Sequence, residues 1–271
     1  IWNDHFERNS DIICNIKNYE DIDKAKADGK VGIILGWQNT SAIENDIKKL
    51  QIFYDLGIRI AQLTYNTQNL VGSGCWESND GGLSDFGKDV VLEMNRLGMI
   101  IDLSHVGPKT SSDAIKVSNS PVTYTHCCPT LKKHPRNKTD EQLKEIANKG
   151  GMIGFASYTP FLPKGSESNI DDCINGMDYL INIVGEDQVG IGTDWVQDHD
   201  ISFFQYLQKD KGTGRYVTPP YKSVPTMPYG MSKLSQFQNF VPAMERAGWS
   251  INKIEKIIGL NWYLFFKEIW K

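Results

Sequence analysis

Three short apolar runs of this chain each end on a side chain able to bind a cation or move a proton. They are Met99-Ile-Ile-Asp-Leu-Ser-His105, Pro121-Val-Thr-Tyr-Thr-His126 and Gln188-Val-Gly-Ile-Gly-Thr-Asp194. Neutral imidazole and carboxylate suit zinc, which brings the pKa of a bound water to about 7. The same groups without a metal could act as general acid and base. Either chemistry requires the three residues to meet at one point. Each run is rich in β-branched residues and bounded by turn residues, which predicts a buried strand. Ligands from separate strand ends converge only if the strands lie side by side and parallel, as on the catalytic rim of a β/α barrel.

Other side chains fall near the same rim. Arg136, in His134-Pro-Arg-Asn-Lys138, lies in the loop after the His126 strand. A guanidinium there could clamp a substrate carboxylate through a bidentate pair, or form a surface salt bridge. His134 and His199 lie in loops on that side and read as structural or solvated, and His5 reads as surface. Cys127 and Cys128 follow His126 directly and read as small packing residues. Gly72-Ser-Gly74 and Gly81-Gly82 do not stand in a strand–loop–helix phosphate motif. Gly190 and Gly192, inside the last strand, point to a close approach by backbone or ligand.

The elements that would position these residues alternate along the chain. Residues 18–29 read as a helix ending at Gly29, followed by a strand over 31–38. Residues 43–56 read as an amphipathic helix stopping at Gly57, with the strand 58–65 after it. A polar, Gly-rich loop covers 66–82. A helix over 83–97 has Ser84 as N-cap and Gly98 as its stop. Then come the His105 strand, a helix at 108–118 and the His126 strand. A Thr139-capped helix at 140–149, a strand at 151–157, a helix at 168–184 and the Asp194 strand complete the alternation. That gives six strands, ending near Gln38, Tyr65, His105, His126, Ser157 and Asp194. A closed barrel has eight, so the expectation is an α/β (β/α)8 barrel with the first two strands upstream of Ile1. Residues 197–234 read as loop-rich and lid-like, and helices at 236–247 and 251–270 finish a single domain over 1–271.

Bulk properties exclude several function classes. A net charge of −4 with scattered Lys and Arg gives no basic footprint for nucleic acid. No run of eighteen apolar residues predicts a membrane span. The five cysteines form no CxxC pair, which argues against both a disulfide framework and a thiolate zinc site. The reading places the protein in the cytoplasm, with a signal peptide before Ile1 left open.

The ordered motifs Gly82-Leu-Ser-Asp-Phe-Gly87, Met94-Asn-Arg-Leu-Gly98, Ile101-Asp-Leu-Ser-His105, Thr125-His126, Arg136-Asn137 and Gly192-Thr-Asp194 resemble those of the renal (membrane) dipeptidase family. This is peptidase family M19 of the amidohydrolase-like barrels, and the likeness runs from about Gly32 to Gly259-Leu-Asn261. It looks nearest to a bacterial branch with Gln in place of the bridging Glu. The resemblance implies a metal-dependent hydrolase that cleaves a dipeptide or similar small amide with metal-activated water. It implies His105 and His126 as ligands of one zinc, Asp194 beside the other as ligand and proton carrier, and Arg136 as the group holding the substrate carboxylate.

The departures are specific. The family's bridging carboxylate falls at Gln38, its substrate-contacting histidine falls at Tyr65, and the N-terminal His-x-Asp pair has no counterpart in this chain. One zinc, two or none therefore remain open. So do a family member that binds a small molecule without peptidase activity, and an amidohydrolase acting on another amide or a lactone. The partners implied are a small-molecule or dipeptide substrate, no nucleic acid and no membrane, and a homodimer is compatible with the reading.

Overall fold

The structure, a computed structural model, describes residues 1–270, the side chain of residue 211 apart. The chain opens with helix α1 (Trp2–Arg8). Strand β1 (Ile13–Asn15), helix α2 (Tyr19–Ala27) and strand β2 (Val31–Ile33) then form a small parallel β–α–β unit. Asn18 caps α2 through a reciprocal capping box with Asp21.

The main sheet follows. Its strands are β3 (Leu35–Trp37), β4 (Ile58–Gln62), β5 (Ile100–Asp102), β6 (Thr123–Cys127), β7 (Met152–Phe155) and β8 (Val189–Ile191). All are parallel, and their order in space is their order in the chain. The intervening helices are α3 (Lys49–Asp55), α4 (Asp85–Leu97), α5 (Pro108–Val117), α6 (Asp140–Asn148) and α7 (Ile170–Val184). This is repeated β/α winding of the TIM-barrel kind, with every strand C-terminus on one rim. The six expected strand ends are those of β3 to β8.

Local chemistry fixes the boundaries. Ser84 accepts from the amide of Gly87 to start α4, and Gly98 ends it in the left-handed region at φ 73°. Thr139 and Gln142 form the capping box of α6. Three expectations are corrected. The run 31–38 is two strands broken at Ile34, because its first half pairs with β1 and its second half with β4. The helix expected over 43–56 begins only at Lys49. Glu44 takes φ 53°, and the Asp46 side chain accepts from the Lys48 amide, which competes with a helical start. The segment 197–234 contains a helix, α8 (Ile201–Leu207), capped by Asp200.

The chain ends in α9 (Phe240–Arg246), α10 (Ile251–Glu255) and α11 (Asn261–Ile269), the last two joined by a π-helical turn at Lys256–Leu260. Asn261 donates to the carbonyls of Glu186 and Val189, and the Trp262 indole donates to Ile191. These bonds cover the outer edge of β8. Below, Ile16, Ile100, Met152, Phe265 and Trp270 plug the end of the barrel opposite the rim.

The rim depends on one irregularity. Tyr124 pairs with Ile153 and Cys127 with Phe155, so β6 carries one residue more than β7 across this span. That is a β-bulge at Thr125-His126, a device that re-aims side chains. The displaced Thr125 carbonyl lies where side chains on β7 and the residue after β8 would otherwise be: a Cβ at Gly154 or Gly192 would strike it. We therefore expect Gly192→Ala to lower stability by about 1–3 kcal/mol through overpacking. Urea unfolding measures this, and a variant as stable as the parent would refute the role given to Gly192.

Candidate active site at the strand C-termini

Each candidate side chain leaves a strand end. His105 follows β5, His126 lies in the β6 bulge, and Gln38 follows β3. Tyr65 and Asn66 follow β4, with Asn66 in the left-handed region at φ 62°. Asp194 follows β8 and also takes a positive φ, 57°. For non-glycine residues such backbone is costly and concentrates at functional sites.

The two imidazoles face each other, with Nε2 of His105 3.1 Å from Nε2 of His126. Asp194 Oδ1 lies 3.8 Å from the same His126 atom, and the Gln38 side-chain nitrogen lies 3.5 Å from it. Nδ1 of His105 meets Asn66 Oδ1 at 2.8 Å. The Tyr65 ring stacks on His105 with centroids 4.2 Å apart. Arg136 is buried and spans both strand ends: Nε donates to the Ser104 carbonyl at 3.2 Å and Nη2 to the His126 carbonyl at 3.1 Å. Among the described residues no carboxylate pairs with it.

Burial sets the charge states. Burial first, and then the Arg136 guanidinium, hold His105 and His126 well below the usual histidine range, so both rings are neutral. Burial pushes the Asp194 carboxyl up to about 6, against the lowering effect of Arg136. His134, which accepts from the Arg136 amide, is brought down to about 4 chiefly by burial. Tyr65 is raised, again chiefly by burial, and stays a neutral phenol.

Above these groups opens a cavity of about 660 Å³. Trp76, Phe161, Trp195, Phe203 and Tyr221 line it, with Arg136, Asp194 and Gln38 also on its wall. An apolar cavity with a few convergent polar groups is the form of a small-molecule site. The Trp195 indole N–H is buried and, among the described residues, has no hydrogen-bond partner.

The donor set fits a cation. Two neutral imidazoles 3.1 Å apart have nearly the separation of two nitrogens each about 2.0–2.1 Å from a common zinc. Asp194 can complete a His-His-carboxylate set open toward the cavity. Among the described residues no three His, Cys, Asp or Glu side chains stand already grouped to hold a metal ion, so Asp194 would have to move in to complete the set. A second cation fits poorly, since Gln38 offers a neutral amide.

All six site residues expected from the sequence, namely Gln38, Tyr65, His105, His126, Arg136 and Asp194, come together on the rim. His134 lines the cavity as a neutral ring packed against Trp76 and Phe161, while His5 and His199 are exposed. Sequence reading did not single out Asn66, Asp102, Thr125, Trp195 or Tyr221. The first three lie inside or beside recognised motifs, whereas Tyr221 had no local signal.

A family model described as membrane dipeptidase (peptidase family M19) matches residues 5–208. An amidohydrolase from Pseudomonas aeruginosa of known structure is 46% identical, with a TM-score of 0.95, over 99% of this chain and 82% of its own. A metallo peptidase from Rhodobacter sphaeroides, solved with a phosphinate mimic of the dipeptide L-Ala-D-Ala, is 25% identical. Its TM-score is 0.80, over 95% of this chain and 69% of its own. An uncharacterized dipeptidase of Schizosaccharomyces pombe is 29% identical over 90% of this chain and 53% of its own length. The chain thus spans about half the length of the curated relatives it matches. On the extent of the family match, with the parallel β/α winding and the rim that goes with it, the chain belongs to the membrane dipeptidase family, peptidase family M19.

Proposed function

We propose that this chain carries the site of a zinc-dependent hydrolase that cleaves a dipeptide or similar small amide. The single observation that carries the reading is the pair of facing imidazole nitrogens beside a buried guanidinium that has no carboxylate partner among the described residues. A metallopeptidase family and a relative solved with a dipeptide mimic support it.

In this reading His105, His126 and Asp194 hold one zinc. What the ion supplies when bound is a water acidified toward pH 7 and a polarised substrate carbonyl. Arg136 binds the substrate carboxylate, using donors left over from its two backbone contacts. Asp194 would hold the ion through one carboxylate oxygen and could, with the other, accept the proton of the attacking water and return it to the leaving amine. Tyr65 fixes the plane of His105 by stacking. Gln38 favours a second reading, in which the site binds a small molecule without turning it over, because its amide cannot bridge two cations.

The decisive measurement is zinc content together with hydrolysis of a dipeptide panel after chelation and zinc return. We expect one zinc per chain and restored hydrolysis, whereas neither would sink the hydrolase reading. Bound zinc without turnover would favour the binding-only reading, and Gln38→Glu should then raise metal affinity. Arg136→Met should weaken capture of dipeptides with a free carboxylate by ~1.5–3 kcal/mol, the worth of a charge-assisted bond. It should spare the C-terminal amides of the same dipeptides, so equal losses for acid and amide would remove Arg136 from substrate binding. Protons compete with the metal at Asp194 but not at the neutral rings. Zinc affinity should therefore hold steady above pH 7 and fall about tenfold per pH unit below about 6, as Asp194 protonates. Competition with a chelating dye across pH reads this slope.

A further inference from the structure

The geometry points to a role for Asp102 and Thr125 that the site residues above do not cover: we propose that they are positioning residues which set the tautomer of His126. The proposal rests on the metal-site reading for its purpose, but not for its geometry.

Asp102, at the end of β5, is buried and has no cation partner among the described residues. Its Oδ1 accepts from Ser104 Oγ at 2.6 Å, from the Ser104 amide at 3.0 Å and from the Thr125 amide at 2.9 Å. Its Oδ2 accepts from Thr125 Oγ1 at 2.7 Å. The hydroxyl of Thr125 also contacts His126 Nδ1 at 2.6 Å and Ser104 Oγ at 3.2 Å.

A hydroxyl has a single proton, and a carboxylate can only accept. Were Thr125 to donate to the imidazole, its oxygen would face the Asp102 oxygen lone pair to lone pair at 2.7 Å. The proton of Thr125 is therefore committed to Asp102, and Thr125 can only accept from His126. That requires the proton of His126 on Nδ1 and leaves the lone pair on Nε2, the atom that faces His105. The Gln38 amide nitrogen, 3.5 Å from Nε2, is placed to donate to the same lone pair. Ser104 completes the arrangement, since its hydroxyl donates to Asp102 and accepts the His126 amide at 3.1 Å.

The Asp102 carboxylate thus acts on His126 through one hydroxyl. Carboxylate–imidazole pairs of this kind orient a metal-binding ring and raise the basicity of its free nitrogen. In this chain the carboxylate and the ring come from adjacent strands, and the Thr125 hydroxyl lies between them. The backbone of Thr125 is held by the same carboxylate, so one acid fixes both the ring's proton and its place.

The test uses Thr125→Val, which keeps the shape and removes the hydroxyl, and Thr125→Ser, which returns it. Nitrogen-15 NMR of the metal-free protein, labelled at histidine, reads which ring nitrogen of His126 carries the proton. A chelator-competition titration with zinc chloride reads affinity. We expect Nδ1–H in the parent and a rise in the Nε2–H form in Thr125→Val. Zinc affinity should fall about 10–100-fold in that variant, with both readouts returned toward the parent by Thr125→Ser. A merely structural role would lower melting temperature without moving the tautomer. An Nε2–H parent, or a Thr125→Val protein with an unchanged tautomer, would overturn the proposal. A parent with the expected tautomer that takes up no zinc would instead overturn the metal-site reading and leave the Asp102–Thr125–His126 arrangement standing.

Discussion

The two imidazoles face each other across a strand, β6, that carries one residue more than its neighbour β7. A regular strand alternates its side chains between two faces in step with its neighbour. The bulge breaks that alternation, and each exposed backbone group then needs a partner. The Thr125 amide and hydroxyl go to Asp102, and the His126 amide goes to Ser104. The Thr125 carbonyl occupies the space that Gly154 and Gly192 leave by having no side chain. Both glycines lie on or just beyond the strands that follow, so one local irregularity is matched by three consecutive units of the barrel. The His126 and Ser104 carbonyls, in turn, receive Arg136. Ligand, anion-binding group and backbone irregularity are therefore one connected arrangement.

Much of this could be read from the sequence because β/α winding uses strong local signals. Ser84, Gly98 and Thr139 mark helix ends through hydrogen bonds that reach only three or four residues. Strand ends were marked by polar residues stopping apolar runs, which placed Gln38, Tyr65, His105, His126 and Asp194 on one rim, with Arg136 in the loop above it. What escaped depends on pairing between distant segments. Nothing local tells that Val31–Ile33 pairs with β1 while Leu35–Trp37 pairs with β4. Nor does the Thr-His sequence announce a bulge, which exists only relative to β7. Ile47 and Leu50 follow a helical repeat, but Glu44 and Asp46 settle the segment as a turn before it. Asp102 was visible in its motif, yet its function lies in a contact with the next strand. Tyr221 reaches the cavity from a proline-rich stretch that Gln208 holds by accepting from the Tyr221 amide, a contact no sequence pattern marks.

The rim holds a second buried cation besides Arg136. Lys138 is also fully buried, its ammonium donating to the Val106 carbonyl and lying 4.6 Å from the Tyr124 ring centroid. Burial pulls its pKa down, as expected of a cation satisfied by dipoles and a ring face instead of a counter-ion. Two cationic side chains without carboxylate partners among the described residues, set next to two neutral imidazoles, form a region where an anion gains more than it would in water. That is useful for holding a carboxylate. It is unfavourable for gathering several metal ions.

The charge balance argues for the number of metal ions under the proposed reading. Two dications about 4 Å apart repel by roughly four times the unit-charge energy, or ~16 kcal/mol at an effective dielectric constant of 20. A pair of metal ions is tolerable when carboxylates bridge and flank it. This rim offers Asp194, whose carboxyl is already raised to about 6, and places a neutral amide at Gln38 with Arg136 close by. Replacing a bridging carboxylate by an amide removes one negative charge from between the ions and leaves Arg136 unopposed. A single dication, in contrast, needs only the two lone pairs that already face each other and one carboxylate. Under the proposed reading the residues of this chain therefore suit one ion between His105 and His126, with the guanidinium free for the substrate.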